Sequence, residues 1–447
     1  MKLLNYGTCA LALTLTIGNL SAQPESAAVE TVNEITQYGI TWKMAAPARA
    51  GRFVTGDWWV IGPLEIESVS PAADEIGNGS VVNPAAGSRQ GYDSRLAGFD
   101  AGLRASFPLK MEPGDSLVTV ASVANKREGA SRPDGEKTAD AVPGGAGVLR
   151  TAVVLTCLGE VPPADAFRPA YVGKWREIFR SSKLRRDLLP RLEPGEAKPN
   201  LAQSERFFER IWLDHMREWV NRAMHPFENM PGYGRELTHV VSNAALALLL
   251  DDSVGDKEKL LLRFVQIGID YYGTTLSDND LWIANGGHNS GRKWPIVFAG
   301  LMLDRDDMMR VKASFAEDQQ TYYGPGFKGQ KALWTIRRAV TKNSKHEEVD
   351  PATWETFGDG SNNGTKAESY RRLNGPTWVG EALAARILGT LETWDHPAFF
   401  DYVDRWVAEQ SPDFAPALPK SMWEKYREQA DEMGTATRRK SLEGRQN

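Results

Sequence analysis

Near residue 200 the spacing of apolar residues changes period, and that change divides what the chain can fold into. Before it, residues 38–158 read as short strands. Ile40-Thr-Trp-Lys, Arg52-Phe-Val-Thr, Trp58-Trp-Val-Ile and Leu64-Glu-Ile-Glu-Ser-Val are rich in β-branched and aromatic residues, and Gly-Asp, Gly-Pro and Ser-Pro pairs separate them. Two further apolar runs, Leu117-Val-Thr-Val-Ala-Ser-Val and Ala152-Val-Val-Leu-Thr-Cys-Leu, flank a Gly- and charge-rich stretch at 126–147 that reads as a long loop. After residue 204, Phe207, Phe208, Ile211, Trp212, His215, Met216, Trp219 and Val220 recur at spacings of three and four, which predicts an amphipathic helix. Further helices are predicted over 237–250, 257–271, 294–303, 305–318, 330–340, 377–391 and 398–409. Pro295 suits the first turn of its helix, where its missing N–H has no partner to lose. Pro162-Pro163 and Phe167-Arg-Pro169 mark the boundary, followed by a basic run (Lys183, Arg185, Arg186, Arg191) and a Pro/Gly-rich linker at 190–199. The reading is an α+β multidomain protein: a β-sandwich-like domain at 35–160, then a helical domain at 165–430. The helices alternate between buried and amphipathic, which predicts antiparallel hairpins, either stacked or closed into a toroid.

The N-terminus carries a second constraint. Lys2, the apolar run 9–17, the small residues Leu20-Ser21-Ala22 and the polar turn at 23–26 have the order of a secretory signal peptide, residues 1–22. The apolar run falls short of the ~20 residues that span a bilayer. The expected location is therefore secreted or periplasmic, with no membrane attachment after cleavage. Cleavage leaves Cys157 as the one remaining cysteine, which excludes an internal disulfide, a Cys-x-x-Cys centre and a thiolate metal site. A net charge of −5 argues against nucleic acid as the main partner.

Three polar segments interrupt the helical region. They are Pro231-Gly-Tyr-Gly-Arg-Glu-Leu-Thr-His239 running on to Asn243, Trp282-Ile-Ala-Asn285-Gly-Gly-His288-Asn289-Ser-Gly-Arg292-Lys293-Trp294, and 362–378, which contains Tyr370-Arg371-Arg372. The second places amides (Asn285, Asn289), cations (Arg292, Lys293), a histidine (His288) and indoles (Trp282, Trp294) beside a flexible Gly286-Gly287 pair. Amides and cations suit a carboxylate, and indole faces suit a sugar ring. His239 and Asn243 are one helical turn apart on one face. A guanidinium beside Tyr370 would favour its phenolate and make it a usable base. Tyr233, Tyr322 and Tyr323 are rivals for that part. His215, His225, His346 and His396 are read as structural or exposed. No close-spaced metal motif, phosphate loop, dinucleotide fingerprint or nucleophile elbow occurs, so no metal and no cofactor is expected.

On Asn285-Gly-Gly-His288-Asn289-Ser290, set among apolar helices behind an export signal, the chain resembles the α/α-toroid polysaccharide lyases of the alginate, glucuronan and heparinase type. Some alginate lyases carry Asn-Asn-His-Ser-Tyr-Trp on an equivalent loop; here two glycines separate the asparagine from the histidine, and the Tyr-Trp ending is absent. The resemblance covers residues 200–410. In those families a sandwich commonly follows the toroid, whereas here the β-rich part precedes it. The resemblance implies a toroid and β-elimination of a uronic acid-containing chain. Asn289 or Asn285 with Arg292 would neutralise the substrate carboxylate, and His288 would act as base or second neutraliser. Tyr370 would be the leading acid/base, tuned by Arg372, with His239 in reserve. Trp282, Trp294 and Tyr323 would line subsites, and Lys293, Asn243 and Tyr233 would contact substrate. The implied partner is an acidic polysaccharide. Two alternatives stay open: a glycoside hydrolase using carboxylates among Asp280, Glu355, Asp359 and Glu368, and a glycan-binding protein without catalysis.

Overall fold

The computed structural model describes residues 26–124, 147–217, 220–336, 345–356 and 364–444. The expected signal peptide, residues 126–146 of the expected loop, Trp219, Asp359 and the start of the third polar segment lie outside them.

Eight strands form one sheet: β1 (Glu30–Gln37), β2 (Ile40–Arg52), β3 (Trp58–Ile61), β4 (Leu64–Ser70), β5 (Ser80–Val82), β6 (Leu109–Met111), β7 (Ser116–Ser122) and β8 (Leu149–Leu158). Their order is β5-β7-β8-β3-β2-β4-β6, with β1 along the other side of β2. One edge of β2 is shared, its first half pairing with β4 and its second with β3. Register shifts at Val32/Glu34 and Lys43/Met44 are the irregularities that let a long strand bend. The sheet curls into a half-barrel.

This corrects the expected sandwich. Strands β7 and β8 are apolar on both faces, the pattern of a sheet covered on each side. Leu117, Val153, Leu155 and Cys157 fill the inside of the curl with Trp42, Ile66 and Met111. Val118, Val120, Ala152 and Val154 face outward, and Tyr171, Ile211, Leu213, Met216 and Met224 cover them. The second layer is thus the start of the helical half, not another sheet.

The helical half comprises α1 (Leu201–Phe208), α2 (Val220–Met224), α3 (Gly234–Leu249), α4 (Glu258–Ser277), α5 (Lys293–Leu303), α6 (Asp306–Met309), α7 (Ala316–Gln320), α8 (Gly364–Ile387), α9 (Leu391–Trp394), α10 (Pro397–Gln410) and α11 (Ala417–Gly444). Small residues set the closest approaches. A Cβ on Gly380 of α8 would lie 2.7 Å from Ser242 of α3, and one on Gly268 of α4 only 2.2 Å from the Pro295 carbonyl of α5. One large apolar core joins these helices, with Trp212, Trp282, Trp294, Trp334, Trp378 and Trp394 inside it.

Five helix boundaries differ from expectation, the first being that α4 runs past the expected end at Tyr271 to Ser277. The 207–220 pattern is α1, then an extended segment, then α2, because successive residues of the extended segment serve two cores: Ile211 and Leu213 face the sheet while Trp212 faces the helices. The 305–318 helix is broken into α6 and α7. Over the described part of the helix expected at 330–340 the chain instead forms a hairpin of β9 (Thr321–Tyr323) and β10 (Ala332–Trp334), and 337–340 lie outside the described residues. The helix expected from 377 begins at Gly364 and runs through Pro376, so Tyr370 and Asn374 lie on α8 and not on a loop. No described helix is long and apolar enough to cross a membrane.

Candidate functional site

The three polar segments meet at the Gly286-Gly287 turn. Gly286 has φ +62°, and a Cβ there would sit 3.0 Å from Cε1 of Tyr370 on α8. A Cβ on Gly287 would sit 2.8 Å from Oη of Tyr233, the residue that precedes α3. Two phenol rings therefore bracket a turn that only glycine fits. The turn is clamped from behind. The Gly286 carbonyl accepts from Nδ2 of Asn374 (2.9 Å) and Nε2 of Gln320 (2.6 Å), while its N–H donates to Ile336 (3.0 Å). The Gly287 carbonyl accepts from the backbone N–H of Arg235 in the first turn of α3 (3.1 Å).

His288 follows within this arrangement, buried, its ring centroid 6.0 Å from that of Tyr233 and its N–H bonded to the Asn285 carbonyl (3.0 Å). Asn285 is half-buried. The Arg222 guanidinium lies 5.1 Å from the Tyr233 ring centre. Burial pushes the Tyr233 phenol well above its usual range, with a further push from Tyr370; Arg222 and the Gly287 N–H only partly offset this. Tyr233 is thus a proton donor at neutral pH. Tyr370 is half-buried and packs against the helical core. His239 and Asn243 point together into a cavity of about 90 Å³ shared with Glu236 and Gln203, Nε2 of His239 lying 3.1 Å from Nδ2 of Asn243.

Several expected site residues are structural instead. Arg292 is fully buried, giving Nε to Asp214 (2.8 Å) and Nη1 to the Ser290 carbonyl (2.7 Å). Asp214 also accepts from Tyr271 (2.8 Å) and faces His225 (3.0 Å). Lys293 is held by Asp318 (2.5 Å) and the Trp394 carbonyl (2.6 Å). Neither cation is placed to receive a substrate carboxylate. Asn289 is buried in a left-handed conformation, its amide donating to the Ile283 carbonyl (2.8 Å). Trp282 stacks on Phe315 and Trp294 on Trp394 within the core, so neither offers a face to a sugar. Tyr323 is exposed on β9, bonded to Asp401 (2.6 Å). Arg372 pairs with Glu368 (2.8 Å) and lines a cavity of about 490 Å³ with Lys328, Trp354 and Glu409, of which Tyr370 is not part. Its guanidinium is engaged by Glu368.

Sequence reasoning missed Arg222, Gln320 and Asn374. Asn374 stands in the third polar segment and was within reach; nothing local distinguishes the other two. Among the described residues no group of three or more His, Cys, Asp or Glu is placed to hold a metal ion. Compared with known proteins, the chain matches no family, no curated protein and no solved structure.

Proposed function

We propose that the chain is a polysaccharide lyase, exported from the cytoplasm, that cleaves a uronic acid-containing polysaccharide by β-elimination on a toroid-like helical scaffold. The observation that supports it most is the pairing of two tyrosines across the Gly286-Gly287 turn, beside Asn285 and His288. The Asn285 amide and His288 stabilise the charge that develops on the sugar carboxylate as the C5 proton leaves. Tyr370 takes that proton. The C4–O bond breaks, a C4–C5 double bond forms, and Tyr233, which retains its own proton at neutral pH, protonates the departing oxygen. His239 and Asn243 border a neighbouring small cavity that would contact the chain beyond the scissile bond.

The hydrolase reading has less support. Although burial pushes its carboxyl up, His346, Arg371 and Arg372 hold Glu368 down to about 2, too acidic for a general acid.

A panel of uronic acid polysaccharides incubated with the protein tests the reading directly. Ultraviolet absorbance grows as unsaturated ends form, and Tyr370→Phe abolishes that growth while leaving thermal unfolding unchanged. Shortened polysaccharide without absorbance, or a Tyr370→Phe variant retaining most of the rate, would defeat it.

A further inference from the structure

A second site lies where the half-barrel fails to close. The path of strands ends at β5 and β6, and these two edges do not pair with each other. Between them is a cavity of about 640 Å³, touched by Val82 of β5 and Leu109 of β6, and enclosed by residues 84–92 and 102–105 and by His215. Specific small-molecule sites span about 300–1,000 Å³.

We propose that this cavity binds a small organic anion with an apolar body. Leu103, Ala105, Val82, Leu109 and Pro84 supply an apolar wall. Two guanidiniums border it. Arg89 is paired with Asp100. Arg104 donates to the carbonyls of Asp74, Gly91 (3.1 Å), Ile76 (3.1 Å) and Tyr92 (3.2 Å). These are backbone acceptors, so the Arg104 charge is fixed in place with no carboxylate hydrogen bond, although the nearby Asp74 carboxylate shares its field. His215 adds no positive charge to theirs, since burial holds its imidazole pKa down at about 4. The Tyr92 hydroxyl, buried in the wall, has no hydrogen-bond partner. A sugar is the poorer occupant. The aromatic lining residues, Tyr92 and His215, are 0% and 1% exposed and present no face on which a ring could stack. The inference is independent of the lyase reading and uses none of its residues.

Calorimetric titration of the whole protein with octanoate, octanamide and glucuronate tests it. Octanoate binds one per chain with Kd at or below about 1 mM, octanamide about fivefold or more weaker, and glucuronate weakest. Leu103→Trp and Ala105→Phe each fill the cavity and weaken octanoate about tenfold or more at unchanged melting temperature. Absence of octanoate binding, glucuronate binding as tight as octanoate, or undiminished octanoate binding by a folded filled variant overturns the proposal. Equal affinity for octanoate and octanamide overturns the anionic part. These comparisons on the unmutated chain stand even if a filled variant fails to fold.

Discussion

Replacing Arg292 by methionine separates a structural cation from a substrate-binding one. The guanidinium is fully buried and contacts a carboxylate that is also fully buried. Burial pushes the Asp214 carboxyl up, but Arg292 and His225 more than offset this and hold it below the usual carboxylate range. Removing one partner of such a pair costs about 3–5 kcal/mol, because the other charge is left in a poor solvent. In a domain of this size each kcal/mol lowers the melting temperature by about 2–4 °C, so Arg292→Met should melt on the order of 10 °C below wild type. The defect also depends on pH in a defined direction. Without Arg292, the folded-state pKa of Asp214 rises above its unfolded value, so stability is lost as pH increases. The gap from wild type in urea unfolding should therefore be wider at pH 7 than at pH 5. Adding Asp214→Asn should recover much of the loss. Unfolding free energy within about 0.5 kcal/mol of wild type, together with collapsed turnover, would refute this and return Arg292 to the substrate.

Two further outcomes follow from buried geometry. The folded-state pKa of His215 is lowered from 6.5 to about 4, so the unfolded chain binds a proton the folded one does not, and this residue's contribution falls as pH drops through that window. At 1.36 kcal/mol per unit, the difference in unfolding free energy between wild type and His215→Gln should change by about 2–3 kcal/mol between pH 7 and 4.5; a pH-independent difference would contradict the assignment. Gly286→Ala should lose about 1–2 kcal/mol to its left-handed backbone and displace the Tyr370 ring, lowering turnover about tenfold or more. Gly329→Ala, at φ +83° with nothing within 4 Å of the new methyl, should carry only the backbone cost, so equal kinetic effects would show that the Tyr370 contact is irrelevant.

The helices α3, α5 and α10 were legible because each has an apolar pattern of helical period and a clear end, whereas α4 showed its start but not its end at Ser277. Helix α8 was half-hidden: Gly375-Pro376 reads as a break, yet the chain passes through it, with Trp406 packed where a Gly375 side chain would be. At 211–216 both sides of an extended segment are buried, and their summed pattern imitated a helix face. Within the site, the glycine pair and its flanking tyrosines could be picked out because tight turns and phenols have few bland explanations together. The cations could not be sorted locally. Arg292 finds its partner 78 residues earlier, at Asp214, and Lys293 finds Asp318 25 residues later. Indoles are equally ambiguous, since Trp282 and Trp294 have the composition of a sugar platform and the location of a core.

Helix α11 bears on how deletions near the C-terminus should be interpreted. Its Gly434 lies so close to α8 that a Cβ would fall 2.0 Å from the Arg386 carbonyl, and its Tyr426 hydroxyl reaches back to the Glu193 carbonyl (2.7 Å). It is a clasp on the helix that carries Tyr370, joined as well to the segment that leaves the half-barrel. Trimming residues 417–444 would uncover the apolar flank of α8 and inactivate the protein without removing a single reacting group.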